Sequence, residues 1–208
     1  MYCYNCMNQI ADGSNVCPIC NKPTSSAPIA HHILPGTILN GKYTIGNVLG
    51  EGGFGITYVG LDNTLQVKVA IKEFFPSGYA NRNHTQSNEV ILTTNKQTDF
   101  FANGKERFLQ EARSLAKFTG EVGIVNVRDF FECNNTAYIV MEFLDGADLN
   151  NFMKTHGTFK AEDIFALMMP VMRSLEKIHA SGIIHRDISP ENIMRLQSGT
   201  LKLMDLGS

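Results

Sequence analysis

The chain has 208 residues, 43% of them hydrophobic and 18% charged, enough for one medium domain with a buried core and a small appendage. A formal net charge of -2 supplies no global attraction for nucleic acid or an anionic membrane, so partners have to be argued from local sites. The N-terminus lacks the charged-then-apolar layout of a secretory signal, and the densest apolar stretch, Ile164 to Met172, is too short to cross a bilayer, which leads us to expect a cytoplasmic protein.

Of five cysteines, four fall in the first 20 residues: Cys3-Tyr4-Asn5-Cys6, ten residues, then Cys17-Pro18-Ile19-Cys20. Two C-x-x-C knuckles around a hairpin-sized spacer form a metal-ligand pattern. A segment this small buries too little apolar area to offset chain entropy, so a tetrahedral, thiolate-bound Zn2+ is expected to supply its folding free energy. Two disulfides or a redox C-x-x-C are the alternative, disfavoured by a reducing cytosol and by the lack of a surrounding βαβ pattern. Cys3, Cys6, Cys17 and Cys20 resemble the ligand set of a zinc ribbon. Such modules serve protein contacts, nucleic-acid contacts or structural capping, and the sequence does not choose among these. The fifth cysteine, Cys133, reads as an inert hairpin residue. We assign residues 1–22 to the ribbon and 23–36, rich in Pro, Ser, Thr and Ala without apolar periodicity, to a linker. His31 and His32 lie in that linker and read as solvated, since four cysteines already complete one zinc site.

Residues 37–208 form the second domain. Tyr43 to Leu49 reads as a strand, Gly50-Glu51-Gly52-Gly53-Phe54-Gly55 as a glycine turn, and Ile56-Thr57-Tyr58-Val59 as a second strand. A G-x-G-x-x-G spacing alone also suits a dinucleotide fold, but there a helix follows the glycines. Here a strand follows, so Gly50, Gly52, Gly53 and Gly55 belong to a hairpin whose amides can close over phosphates. The next strand, Val67 to Lys72, contains Val69-Ala70-Ile71-Lys72. A lysine ending an apolar run needs an anionic partner. Glu106 to Lys117 has helical periodicity, with Phe108, Glu111, Ala112 and Leu115 on one face. A carboxylate on that apolar face is costly unless paired, so Glu111 is favoured over Glu106 as the partner of Lys72.

Farther along stand Tyr138 to Gly146, then His185-Arg186-Asp187-Ile188-Ser189-Pro190-Glu191-Asn192, then Leu201 to Met204 followed by Asp205-Leu206-Gly207. In this order the motifs resemble those of eukaryotic-like protein kinases, and the D-I-S-P-E-N variant with G-F-G-I-T-Y looks like a group of bacterial serine/threonine kinases. The resemblance implies an α+β protein-kinase-like fold: an antiparallel N-lobe sheet with its αC helix and a partial helical C-lobe, preceded here by the ribbon. It also implies ATP and Mg2+ as cofactors and a protein hydroxyl as substrate. Lys72, paired with Glu111, would position the α/β-phosphates. Asp187 would orient the attacking hydroxyl and accept its proton, while Asn192 and Asp205 would hold magnesium. Met141 would be the gatekeeper. Backbone groups of Glu142 and Leu144 would bind the adenine edge, Asp148 would approach the ribose, and Thr57, Ala70 and Met194 would sandwich the ring.

Two positions depart from the family pattern. Ser189 stands where common serine/threonine kinases carry a lysine facing the γ-phosphate, a stabiliser whose loss costs about 3 kcal/mol unless another cation substitutes. Small-molecule kinases also lack that lysine, but Arg186 between His185 and Asp187 favours the protein kinases. Leu206 in place of phenylalanine keeps an apolar plug of similar volume. The polar stretch Glu73 to Lys105 reads as a decorated surface loop. Glu162 to Ala180 reads as a core helix, apolar over most of its circumference and kinked at Pro170. The resemblance implies that an activation segment and further helices would follow Ser208, and exposed core surface is then expected to limit the solubility of the isolated chain. The alternative reading is a catalytically inactive nucleotide-binding fragment or zinc-ribbon adaptor, disfavoured because Lys72, Glu111, Asp187, Asn192 and Asp205 are all intact.

Overall fold

The computed structural model describes residues 1–25, 27, 29–83, 87–94 and 98–204. They form two compact units: Met1–Gln110 with Arg128–Phe143, and Glu111–Val127 with the described part of Leu144–Ser208.

The first unit is built on a sheet. Its strands are β1 (Ile38–Leu39), β2 (Tyr43–Glu51), β3 (Gly55–Asp62) and β4 (Val67–Phe74). A short hairpin of β5 (Ala80–Asn81) and β6 (Ile91–Leu92) and the helix α1 (Thr98–Ala116) come next. β7 (Val127–Cys133) and β8 (Thr136–Glu142) then return to the sheet, whose order is β1-β2-β3-β4-β8-β7. The β2–β3, β3–β4 and β4–β8 pairs are antiparallel. Side chains alternate across such strands, and β4 shows the consequence: Val69, Ile71 and Glu73 are buried on one face, while Lys68, Ala70 and Lys72 lie half-buried on the other.

On the Lys72 face, α1 packs its aromatic stripe against the end of β4. The Phe74 ring lies 5.1 Å from Phe101 and 5.6 Å from Phe108, centroid to centroid. The opposite face carries Ile56, Tyr58, Ile71, Glu73 and Tyr138, all fully buried. The cover comes from the two segments read as solvated. The stretch expected to be a surface loop instead places Phe75, Ala80, Arg82, Val90 and Phe101 in the core, with α1 starting at Thr98. Arg82 donates to Glu73 through both terminal nitrogens, to the Asn88 carbonyl at 2.7 Å, and to the His31 carbonyl at 3.0 Å. Ile33, in the expected linker, is 1% exposed, and its N–H donates to the Tyr58 hydroxyl at 3.2 Å.

The cysteine segment docks on the sheet as part of the same unit. The Asn47 N–H donates to the Tyr4 carbonyl at 2.7 Å, and the Asn47 side-chain amide donates to Asn5 Oδ1 at 2.7 Å. Met7 packs with Val59 and Leu61, flanked by Tyr2, Tyr4 and Phe143. Contact is close enough to require glycine at position 46, where a Cβ would lie 2.6 Å from the Tyr4 carbonyl oxygen and 2.7 Å from the Met7 sulfur.

In the second unit, β9 (Gly146–Asp148) leads into α2 (Leu149–His156), followed by α3 (Ala161–Ala180), a 3-10 turn at Pro190–Asn192, β10 (Ile193–Leu196) and β11 (Leu201–Leu203). The strand order is β11-β10-β9. Leu149, Val171, Ile193, Leu201 and Leu203 make the core, with Leu167, Met168 and Leu175 packed against it. The α3 helix starts with Glu162 and Asp163 and ends with Lys177 and His179, charges that complement its dipole. Pro170 lies inside it, as the sequence indicates. Phe165 is 63% exposed and Met172 46%, so the described residues cover only part of its apolar circumference. Among the described residues, no helix is long and apolar enough to cross a membrane.

Candidate functional site

The glycine turn joining β2 and β3 is braced from behind by the chain that follows β4. The Gly52 N–H donates to the Gly55 carbonyl at 2.9 Å, Phe75 N–H to Phe54 at 3.1 Å, and Ser77 N–H to Gly53 at 2.9 Å. Packing explains one of the four glycines: a Cβ on Gly55 would lie 2.4 Å from the Glu73 carbonyl oxygen. At Gly50, Gly52 and Gly53 a Cβ would meet no described atom within 4 Å. Packing therefore does not account for these three.

Strand register gathers the next group. Thr57 pairs with Lys72, and Lys72 with Ile139; Val59 pairs with Ala70, and Ala70 with Met141. Directly opposed residues share a face, so Thr57, Ala70, Lys72 and Met141 line one surface of the sheet. The Lys72 ammonium is 5.9 Å from the centroid of the Phe108 ring on α1. Glu142 ends β8, and Glu111 sits half-buried on α1.

In the second unit Asp148 ends β9 and caps α2, accepting from the Asn151 N–H at 2.8 Å and the Asn151 amide at 2.6 Å. Met194 on β10 is its direct cross-strand partner, so two residues 46 positions apart are brought side by side. Leu144 precedes β9 and is half-buried.

The His185–Asn192 loop is the most tightly specified part of the unit. His185 is fully buried. Its Nε2 lies 3.2 Å from the Met204 carbonyl, which can only accept, so Nε2 carries the proton. Nδ1 accepts from the Asp187 N–H, at 3.4 Å. Arg186 has a φ of 67°, a left-handed conformation uncommon for a side-chain-bearing residue, and backbone outliers of this kind concentrate at functional sites. The Asp187 side chain stays exposed, and the Asn192 amide donates to Asp187 Oδ2 at 2.8 Å and to its carbonyl at 3.0 Å. Asp205, Leu206 and Gly207 lie outside the described residues.

The four N-terminal cysteines converge. Their sulfurs lie within 4.8 Å of one another, with Cys3–Cys20 at 3.8 Å and Cys6–Cys17 at 3.7 Å. A tetrahedron with metal–sulfur bonds of about 2.3 Å has edges of about 3.8 Å, so the spacing fits a zinc site of four thiolates; all four thiols are free of disulfides. The two knuckles are built alike: Met7 N–H donates to the Cys3 carbonyl at 2.7 Å and Asn21 N–H to the Cys17 carbonyl at 2.9 Å. Met7 and Asn21 close them in the left-handed region, with φ of 58° and 55°. Hydrogen bonding from the Cys20 backbone brings the Cys17 thiol down to about 6, whereas burial pushes Cys20 up to about 12.

Sequence reasoning missed a third group. His31 Nε2 lies 2.8 Å from one carboxylate oxygen of Glu51, and His32 Nε2 lies 3.0 Å from the other. The His32 side chain is 13% exposed, not solvated. The hydrogen bond to His32 holds the Glu51 carboxyl below the ordinary range, with His31 adding to it. An adjacent histidine pair was the available signal, but its partner stands 19 residues on, inside the glycine turn.

A hairpin glycine turn, a strand lysine on the face of an antiparallel sheet, and a histidine-anchored loop presenting Asp187 and Asn192 define a protein-kinase-like fold. A family model described as the protein kinase domain matches residues 43–208. The chain is 31% identical over 183 residues to a probable serine/threonine-protein kinase PknB of Bifidobacterium longum, covering 84% of this chain and 24% of that protein. It is 30% identical over 177 residues to the serine/threonine-protein kinase PknA of Mycobacterium tuberculosis, covering 83% and 36%. A solved structure, the apo form of PpkA-294, matches with a TM-score of 0.79 at 35% identity, over 86% of this chain and 62% of that one. The M. tuberculosis PknI kinase domain shares the fold, with a TM-score of 0.60 at 22% identity over 87% and 62%. The chain belongs to the protein kinase domain family, and the relatives it resembles are bacterial serine/threonine-protein kinases. It spans about a quarter to a third of the length of the two curated relatives.

Proposed function

We propose that the protein transfers the γ-phosphoryl group of magnesium-bound ATP to serine or threonine hydroxyls of a protein substrate. The observation that carries this reading is the Asp187–Asn192 pair, held by a buried histidine in a loop with a left-handed residue at its turn. In phosphoryl transfer the protein mainly positions the reactants and neutralises charge. Asp187 would orient the attacking hydroxyl and take its proton as the new P–O bond forms and the bond to ADP breaks. The Asn192 amide oxygen and Asp205 would hold magnesium, which supplies charge neutralisation at the phosphates. Lys72, with Glu111 as its counter-ion, would fix the α/β-phosphates under the amides of Gly50, Gly52, Gly53 and Gly55. Thr57, Ala70, Met141, Glu142, Leu144, Asp148 and Met194 would hold the nucleoside. Residues 37–208 would form this domain, joined through 23–36 to a zinc-binding module at 1–22. Four free thiols suit a reducing cytoplasm.

The test is transfer of labelled γ-phosphate from Mg-ATP to the chain itself and to a generic basic protein. Incorporation at serine or threonine is the expected result. Retained Mg-ATP binding with no incorporation into either acceptor would leave a nucleotide-binding module in place of a kinase.

Cys3, Cys6, Cys17 and Cys20 would hold one zinc ion, whose coordination supplies the folding free energy that so short a segment cannot obtain from burial. The cobalt-substituted chain should show the intense near-ultraviolet band of thiolate-bound cobalt, and Cys17→Ser should remove most of it. Less than half an equivalent of zinc in freshly purified protein would rule the site out.

A further inference from the structure

We infer that His31, His32 and Glu51 form a second metal site, one that takes a first-row divalent ion of the zinc class and ties the N-terminal segment to the glycine turn. Adjacent side chains ordinarily diverge, yet here both imidazoles point at one carboxylate. A turn closed by the His32 N–H on the Ile29 carbonyl, at 3.0 Å, brings the two rings to 4.5 Å between centroids. Each ring is fixed from outside. His31 stacks on Phe75 at 5.8 Å with its backbone carbonyl gripped by the buried Arg82, and His32 meets the edge of Tyr58 at 6.4 Å.

One ring nitrogen from each histidine and one carboxylate oxygen lie within 4.8 Å of one another. Zinc at bond lengths of about 2.0–2.1 Å wants tetrahedral ligand separations of about 3.4 Å, so closure asks for movements of about an ångström at side-chain ends. Glu51 has that freedom, its side chain being 43% exposed. Two imidazoles and a carboxylate are a set zinc accepts when water fills the fourth position, and imidazole equally suits copper and nickel. On binding, each ring proton moves from Nε2 to Nδ1, and the metal replaces the two hydrogen bonds to Glu51. The site is independent of the cysteines and extends beyond the kinase reading: its carboxylate lies between Gly50 and Gly52, so an ion there fixes the entry to the turn.

The experiment is equilibrium dialysis of the full chain against micromolar zinc, followed by metal analysis, for the parent, His31→Ala/His32→Ala and Glu51→Gln. Both variants should bind one equivalent less than the parent. Their cobalt-thiolate band should be unchanged, which separates this site from the cysteines and reports that the segment is still folded. Zinc should also slow amide exchange across Gly50 to Gly55 in the parent and not in the variants. Equal metal content in parent and variants, whether one equivalent or none, would overturn the proposal. A zinc-independent exchange rate at the turn would overturn the tether.

Discussion

Asp187→Asn is expected to lower γ-phosphoryl transfer by roughly 100- to 10,000-fold, the range for removing a positioned acid–base group, while leaving Mg-ATP affinity unchanged within error. The loop geometry is what makes the substitution diagnostic. The Asn192 amide donates to Asp187 Oδ2, and an asparagine at 187 still offers an oxygen there. The backbone bonds that shape the loop, Asp187 N–H to His185 and His185 to Met204, involve no atom of the substituted side chain. Only the negative charge and the proton-accepting oxygen are lost. A variant that transfers phosphate as fast as the parent would remove Asp187 from the chemistry. One that binds no nucleotide would instead show that the residue holds the loop together.

The candidate motifs of the two units were legible because each is local. Gly50 to Gly55, Val69 to Lys72 and His185 to Asn192 are short strings whose spacing follows from a strand, a turn or a loop. The pairing of Ala70 with Met141 and of Asp148 with Met194 then follows once strands lie antiparallel. What stayed hidden depends on segments distant in sequence. Period-2 alternation places Lys72 and Glu73 on opposite faces of β4, so Glu73, read from the sequence as the start of a surface loop, lies among Val69 and Ile71. A carboxylate there demands a buried cation. The cation, Arg82, sits in a stretch whose Asn, Thr and Gln content reads as solvent-exposed, and composition alone carries no sign that one arginine in it is 2% exposed. The same holds for His31 and His32. Their neighbours are linker-like, and only the folded register brings Glu51 to them.

The buried network is why the second face of the sheet is stable at all. Glu73 is fully buried, and its two oxygens accept from Arg82 Nη1 at 3.1 Å, Arg82 Nη2, Tyr58 at 3.1 Å and Tyr138 at 2.7 Å. Each phenol is in turn an acceptor, Tyr58 from the Ile33 N–H and Tyr138 from the Asn134 amide at 3.0 Å. Burial, reinforced by the Glu73 charge, pushes both phenols up from their ordinary range, so they remain protonated donors. The guanidinium also lies 5.3 Å from the Phe75 ring centroid. Residues 31 to 33, 75 to 82 and 88 and strands β3, β4 and β8 are thus joined through one carboxylate.

Glu73→Ala should therefore destabilise the fold by about 3–5 kcal/mol, because it leaves the buried Arg82 guanidinium without its carboxylate. Thermal melting of the full chain should fall by roughly 6–20 °C on the usual scale for a domain of this size. The decisive comparison is Glu73→Leu with Arg82→Met. Removing both charges abolishes the desolvation cost as well as the attraction, and paired replacement of this kind is often close to neutral. Recovery should be partial here, since the Tyr58 and Tyr138 hydroxyls lose their acceptor at about 1–3 kcal/mol for each group left unsatisfied. Adding Tyr138→Phe to the double variant should raise the melting temperature again, although the same change in the parent lowers it. That reversal of sign distinguishes a network centred on Glu73 from a set of independent contacts. A single Glu73→Ala chain melting with the parent would show that Arg82 finds solvent, and that segments 31 to 33 and 75 to 82 do not seal this face.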